Sequence, residues 1–383
     1  MVAISQMITL MPDGYEEQCR EMGIIQRRRA IKKPADLMLL NLYHLVNGCT
    51  LNEISEVGRL TKIGEYSDVA YMKKFEKCTR WFQWVSAQLA TTAVADYTKP
   101  AYLKEYRVLG YDGTMVVEKG RSGRSYWLHY CIDIFKMSSV FHRITNQDVG
   151  ETLLNCTFQK GDLVTGDRIY GTIKGITHCV ECGADYILRL KTNCFTIWDA
   201  HGNKIDILDQ LRDMDYEESK GFTGYICSKD GKRISIRICA KRKTKEACEA
   251  TAKKLQRRAT RKQERLTEET KQMNEYIVVA TSLPAEISDA DILETYRYRW
   301  QVECYFKRLK SIMDFGDLPK KRNESSLAWL NGKIMVALLM ELILTKGSFS
   351  PQRTHEPKTE YMERNQDDQP DLTNEHSVII CSG

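Results

Sequence analysis

Between residues 105 and 190 the hydrophobic pattern changes period several times, and the order of those changes constrains the fold more than any other feature of the chain. Residues 105–110 read as a short strand that ends at Tyr111-Asp112-Gly113-Thr114. Residues 126–135 (YWLHYCIDIF) alternate apolar and polar side chains as a second strand, and 139–145 make a third. Residues 151–158 read as a helix, 162–165 as a buried strand ending in Gly166-Asp167-Arg168, 172–182 as another helix, and 186–190 as a fifth strand. Three strands in succession followed by helix-strand-helix-strand predict an α/β sheet. An acidic residue stands just past the first and the fourth strand. Each has a local explanation, because Asp112-Gly113 is a common turn dipeptide and Asp167 suits a helix N-cap. Neither explanation accounts for both acids standing at matching strand ends.

A third acid sits in a different setting. Residues 291–313 (DILETYRYRWQVECYFKRLKSIM) predict one long helix. At about 100° per residue, Tyr296, Arg299, Glu303 and Lys310 share an arc of roughly 60°. Tyr298, Val302, Tyr305, Leu309 and Ile312 gather on another arc, which reads as the buried face. A solvated face of an ordinary amphipathic helix would show the same charges. A carboxylate flanked by Arg, Lys and a phenol also suits a group that holds a divalent cation while its neighbours grip phosphate oxygens.

The remaining segments frame these elements. Residues 33–46 predict a helix broken at Asn47-Gly48, Thr50 caps a second over 51–60, and Ser67 caps a third over 68–89. Helix, tight turn and shorter helix fit a helix-turn-helix or a plain helical bundle. Arg27, Arg28, Arg29, Lys32 and Lys33 precede them. After the fifth strand, 195–207 reads as a hairpin turning at His201-Gly202-Asn203, with further strands at 223–228 and 233–240. Residues 241–273 form a charged helical stretch with Lys253, Lys254, Arg257, Arg258, Arg261, Lys262 and Arg265, either solvated or facing DNA. Residues 276–280 (YIVVA) return as a strand, and 327–344 predict a last apolar helix.

The apolar run 334–344 is 11 residues long, against the roughly 20 needed to span a bilayer, so a core helix is expected. The 57 basic and 51 acidic residues leave a formal charge of +6, which matters only where it concentrates. Thirteen cysteines without paired regularity, and no N-terminal signal pattern, fit a reducing cytosol. Cys179-x2-Cys182 with Cys194 and His201 is a conceivable zinc set, but the chain has no second CxxC. From about residue 347 the chain turns polar, with Pro351, Pro357 and Pro370, and reads as a loosely ordered tail.

The spacing Tyr296-x2-Arg299-x3-Glu303-x6-Lys310 resembles the YREK signature of DDE transposases from bacterial insertion sequences. With LGYDGT around Asp112, GDRIYG around Asp167 and VVATSLP on the returning strand, the resemblance covers roughly residues 25–345. It implies a ribonuclease H-like α/β core, in which the first and fourth strands lie side by side, with a mostly β insertion before the last catalytic helix and an N-terminal helical domain. The division it implies is 1–98 helical and DNA-binding, 99–192 and 284–346 core, 193–283 insertion, and 347–383 tail. Asp112, Asp167 and Glu303 would be the catalytic, metal-holding triad, taking two magnesium ions or manganese in their place. Tyr296, Arg299 and Lys310 would hold phosphates near the transposon end, and Trp300 is a weaker candidate for a base contact. The implied activity is cleavage at terminal inverted repeats and transfer of the 3′-hydroxyl ends to target DNA, by a homodimer assembled on the DNA ends in the bacterial cytoplasm, at the nucleoid and with no membrane partner. In some relatives a tryptophan on the returning strand stacks a flipped base, and here only Tyr276 is available. A nuclease without strand transfer and a catalytically inactive, domesticated DNA-binding protein are the competing readings.

Overall fold

The computed structural model describes residues 4–26, 31–90, 96–118, 123–192, 196–312, 315–319 and 322–346. Arg27 to Arg29, Cys194 and the expected tail lie outside the described residues. The helical start comprises α1 (Ile4–Thr9), α2 (Tyr15–Glu21), α3 (Pro34–Val46), α4 (Leu51–Leu60), α5 (Asp68–Lys77) and α6 (Thr79–Ala90). Pro34 opens α3, where its missing N–H costs no hydrogen bond. Thr50 and Glu53 cap α4 reciprocally, and the Ser67 side chain accepts from the Ala70 N–H to start α5. The single helix expected over 68–89 is divided at Cys78, whose N–H bonds three residues back to Phe75 and so tightens the turn.

The sheet begins with β1 (Arg107–Glu118), β2 (Ser125–Asp133) and β3 (Ser138–Asn146), successive antiparallel neighbours. Next come β4 (Asp162–Gly171), α7 (Ile173–Glu181) and β5 (Asp185–Leu190), and β4 runs parallel to both β1 and β5. The order β3-β2-β1-β4-β5 is compatible with the expected ribonuclease H-like core. One expected element fails. Residues 151–158 contain only a single 3-10 turn, Leu153–Asn155, because the Thr152 hydroxyl caps Leu154 and Cys156 is already extended.

The chain then adds β6 (Ile197–Trp198), β7 (Lys204–Ile205), α8 (Ile207–Leu211), β8 (Ser219–Cys227), β9 (Arg233–Arg242), α9 (Lys245–Lys262), α10 (Glu268–Met273) and β10 (Tyr276–Thr281). The expected charged helix 241–273 is therefore two helices behind the end of a strand, and α9 stops at Gln263, which adopts a left-handed φ of 55°. Strands β6 to β9 do not form a detached sheet. β10 bridges β5 and β9, giving one eleven-stranded sheet in the order β3-β2-β1-β4-β5-β10-β9-β8-β6-β7, with β11 (Asp317–Leu318) parallel to the end of β1. Last are α11 (Asp289–Arg297), α12 (Trp300–Ile312) and α13 (Asn323–Lys346).

Period-two alternation sorts side chains onto two apolar clusters, one on each face. Val108, Leu163 and Ile187 join the cluster built with α3–α6, α11, α12 and α13, while Leu109, Val164 and Leu188 join the cluster under α7. By the same alternation Gly110 and Asp112 face α12. The long helix α13 is apolar and long enough to cross a membrane, yet Ile334, Met335, Val336 and Leu339 are fully buried against the N-terminal helices and the sheet. It is a core helix, as expected, and Gly332 lets it approach α3, since a Cβ there would lie 2.6 Å from Leu45 Cδ1.

Candidate active site

Parallel pairing of β1 with β4 runs from Arg107 opposite Asp162 to Gly110 opposite Thr165 and then stops. Asp112 and Asp167 lie just beyond that point on the two strands. Neither is past a strand end, contrary to the expectation from sequence. β1 continues because β2 still pairs with it, Asp112 standing opposite Tyr130, and β4 continues through an irregular stretch between Gly166 and Gly171. The Asp112 carboxylate accepts from the Gly113 N–H at 2.9 Å, and that of Asp167 accepts from the Arg168 N–H at 2.5 Å.

The helix expected over 291–313 is also divided. The Tyr298 and Arg299 N–H groups bond three residues back, to Thr295 and Tyr296, so the backbone overwinds between α11 and α12. The polar arc survives this tightening but is not solvated. Tyr296 is 6% exposed and Arg299 8%. Arg299 lies 5.6 Å from the Tyr296 ring centre, its Nη2 donates to Glu303 Oε1 at 2.5 Å, and its Nη1 stands 3.7 Å from Asp112 Oδ2. Thus one buried guanidinium joins the helix carboxylate to the strand carboxylate.

Electrostatics extend the cluster. Burial pushes the Asp112 carboxyl up to about 7, Arg299 and the Gly113 N–H oppose that rise, and the neighbouring charges of Asp167 and Glu151 add to it. Burial works against the Arg299 charge, but Tyr296 and then Glu303, Asp112 and Asp167 outweigh it and hold the guanidinium well above its ordinary pKa. Lys310 is half-buried; burial lowers its ammonium pKa while the Asp112 charge counteracts the effect. Because Asp112 keeps its proton longer when folded than unfolded, its contribution to stability falls as pH rises from the ordinary 3.8 towards about 7. Melting of the metal-free protein at pH 5 and pH 8 should show this loss, on the order of a few kcal/mol, and Asp112→Asn should flatten the difference.

Gly110 sets the distance between β1 and α12. A Cβ at that position would overlap Val302 Cγ2, and Val302 is fully buried next to Glu303. Gly110→Ala should therefore push α12 outward, costing about 1–3 kcal/mol and reducing any reaction that needs Asp112 and Glu303 together by on the order of 10²-fold. Melting curves and cleavage rates on one preparation would separate the two effects.

Sequence reasoning missed Glu151. Its Oε1 accepts from the Tyr170 hydroxyl at 3.1 Å and would overlap a Cβ placed on Gly113, so the carboxylate fills the space that this glycine leaves. The only trace in sequence is the glycine beside Asp112. Tyr276 is nearly buried at the start of β10, with the Arg242 guanidinium 5.9 Å from its ring, so it is a core residue and does not offer a free stacking face. Trp300 opens α12 with Lys307 Nζ 5.6 Å from its ring. Cys179 is buried, Cys182 lies 3.8 Å from His178 Nε2, and no zinc set forms among the described residues.

Asp112, Asp167 and Glu303 fit divalent ions in kind but not in arrangement. In kind they do: the donors are carboxylate oxygens, suited to a hard cation, and Asp112 and Glu303 already flank one buried positive charge on which Asp167 also acts. In arrangement they do not yet, because among the described residues no three acidic, His or Cys side chains form a metal cage. Arg299 stands among them.

Residues 143–339, over half of the chain, match the family described as the transposase DDE domain. The chain belongs to that family. It is a bacterial insertion-sequence DDE transposase, and the matched region contains Asp167 and Glu303 but begins after Asp112. The transposase is 26% identical over 349 residues to a chain named as the putative transposase InsL of insertion sequence element IS186A from Escherichia coli (strain K12), covering 90% of this chain and 94% of that one. It is equally similar, over 350 residues, to the transposase for insertion sequence element IS421 of Escherichia coli. A shorter match, 25% over 210 residues, relates it to the transposase for insertion sequence element IS231F of Bacillus thuringiensis subsp. israelensis, covering 50% of this chain and 43% of the relative.

Proposed function

We propose that this transposase, of the YREK-bearing branch, cleaves DNA at the terminal inverted repeats of its element and joins the 3′-hydroxyl ends to target DNA. The observation that carries the reading is the buried Arg299, which gathers Asp112 and Glu303 into ion-pair reach with Asp167 acting on the same charge. Asp112, Asp167 and Glu303 would hold magnesium, or manganese in its place, and the bound ions would polarise the attacking oxygen and offset charge on the departing one. Arg299 and Lys310 supply cationic donors, and Tyr296 a hydroxyl, to phosphate oxygens beside the scissile bond. Burial makes these contacts stronger than the same groups would make in water.

Residues 1–98 would recognise the DNA ends, and two copies would assemble on a pair of ends in the cytoplasm, at the nucleoid. On α9, Lys253, Arg257, Arg258, Arg261 and Lys262 are exposed, in keeping with a helix that tracks a phosphate backbone. Replacing Arg257 and Arg261 with alanine should make the plot of log affinity against log salt shallower by about 0.9 for each phosphate that the helix no longer neutralises. An unchanged slope would leave α9 a solvated helix.

The direct test uses a labelled duplex carrying the element's terminal repeat with magnesium or with calcium. Magnesium-dependent cuts leaving 3′-hydroxyl ends at the repeat boundary, followed by their joining to a second duplex, are the expected products. Tight binding with no cut in either metal would favour the inactive DNA-binding reading.

A further inference from the structure

We propose that Arg299 makes metal loading conditional on DNA: without DNA its guanidinium occupies the charge position among the carboxylates, and a DNA phosphate draws it away. The proposal rests on the reading of Asp112, Asp167 and Glu303 as the metal-holding set. Its basis is a mismatch within the site. Three carboxylates that should share divalent ions instead form no metal cage among the described residues, while Arg299 bonds Glu303 at 2.5 Å and stands 3.7 Å from Asp112. A guanidinium and a divalent ion seek the same oxygens, so the ion can use Glu303 fully only after Arg299 has turned aside.

Arg299 is also poorly satisfied where it lies. A guanidinium carries five donors, yet among the described residues its buried Nε and Nη1 make no well-directed hydrogen bond, and the buried Tyr296 hydroxyl is close enough to act on Arg299 without forming one. Buried donors without acceptors cost free energy that a new acceptor recovers. A phosphate on the Tyr296 side would offer oxygens to both groups and compensate Arg299 for leaving Glu303. Such an exchange keeps reactive metal off free transposase and assembles it only on DNA. By reciprocity, the factor by which DNA tightens metal binding equals the factor by which metal tightens DNA binding, commonly about 5–150-fold.

The test reads manganese binding directly, from the loss of the free-ion electron paramagnetic signal, rather than activity. Wild type, Arg299→Gln and Asp112→Asn are each titrated alone and with a terminal-repeat duplex, and Asp112→Asn with duplex corrects for ions held by the DNA itself. The expected result is at least tenfold tighter Asp112-dependent binding in free Arg299→Gln than in free wild type, with wild type gaining a comparable factor when duplex is added. If wild type and Arg299→Gln bind manganese equally without DNA, or if duplex changes nothing in wild type, while Asp112→Asn still loses the ion, the switch is wrong and the carboxylate site stands. If no sample shows Asp112-dependent binding, the metal-holding reading fails and the switch with it. Should Arg299→Gln not fold, the duplex effect on wild type decides alone.

Discussion

Replacing Glu303 with glutamine should lower cleavage at the transposon end by at least about 10³-fold, with end binding retained. The amide keeps the side chain's length and still offers one oxygen to Arg299, whose Nη2 donates to the Glu303 carboxylate at 2.5 Å in the wild type. What disappears is the negative charge that a divalent ion needs. Arg299, relieved of its strongest partner, can turn to a phosphate more easily, so affinity for the ends should hold or rise. Cleavage and binding measured on the same labelled duplex would check this. Retained cleavage would remove Glu303 from the chemistry, and a collapse of binding would make it a DNA contact or a structural support.

The second large effect concerns stability. Trp81→Ala should cost about 3–5 kcal/mol. Trp81 is fully buried on α6, donates from Nε1 to the Tyr15 carbonyl at 2.8 Å, and lies parallel to the Tyr15 ring with centroids 6.3 Å apart. Helix α6 packs along α13, and the apolar cluster they share continues onto the face of the sheet behind α12. The substitution should therefore lower the unfolding transition of both the helical start and the sheet. Denaturant melts followed by tryptophan fluorescence and by far-ultraviolet dichroism should move together. A change under about 1 kcal/mol, or melting of the helical start with the sheet unaffected, would contradict a shared core.

Much of the fold is legible in the sequence because local period and capping carry it. The alternation at 126–135, the Thr50 box and the Ser67 cap need no distant partner to be read. What could not be read depends on contacts between remote segments. β1 persists through Gly110 and Gly113, poor strand residues, because β2 supplies its hydrogen bonds. Strands β6 to β9 join the main sheet because β10 pairs on both edges, and no pattern in 195–283 specifies that partner. The break at Tyr298 and Arg299 lies inside an uninterrupted helical pattern, with neither Gly nor Pro to mark it. Within the candidate site, the helical wheel grouped Tyr296, Arg299 and Glu303 correctly but not their burial, since Arg299 is covered only when α12 lies on β1 over Gly110.

The central claim is that Asp112, Asp167 and Glu303 share divalent metal on DNA, and localised metal-catalysed backbone scission tests it most directly. Ferrous iron in place of magnesium, with ascorbate and peroxide, should cut the DNA-bound transposase near all three residues, and Asp112→Asn should remove the three cuts together. Scission near only one of them, or a pattern unchanged by Asp112→Asn, would contradict the shared site.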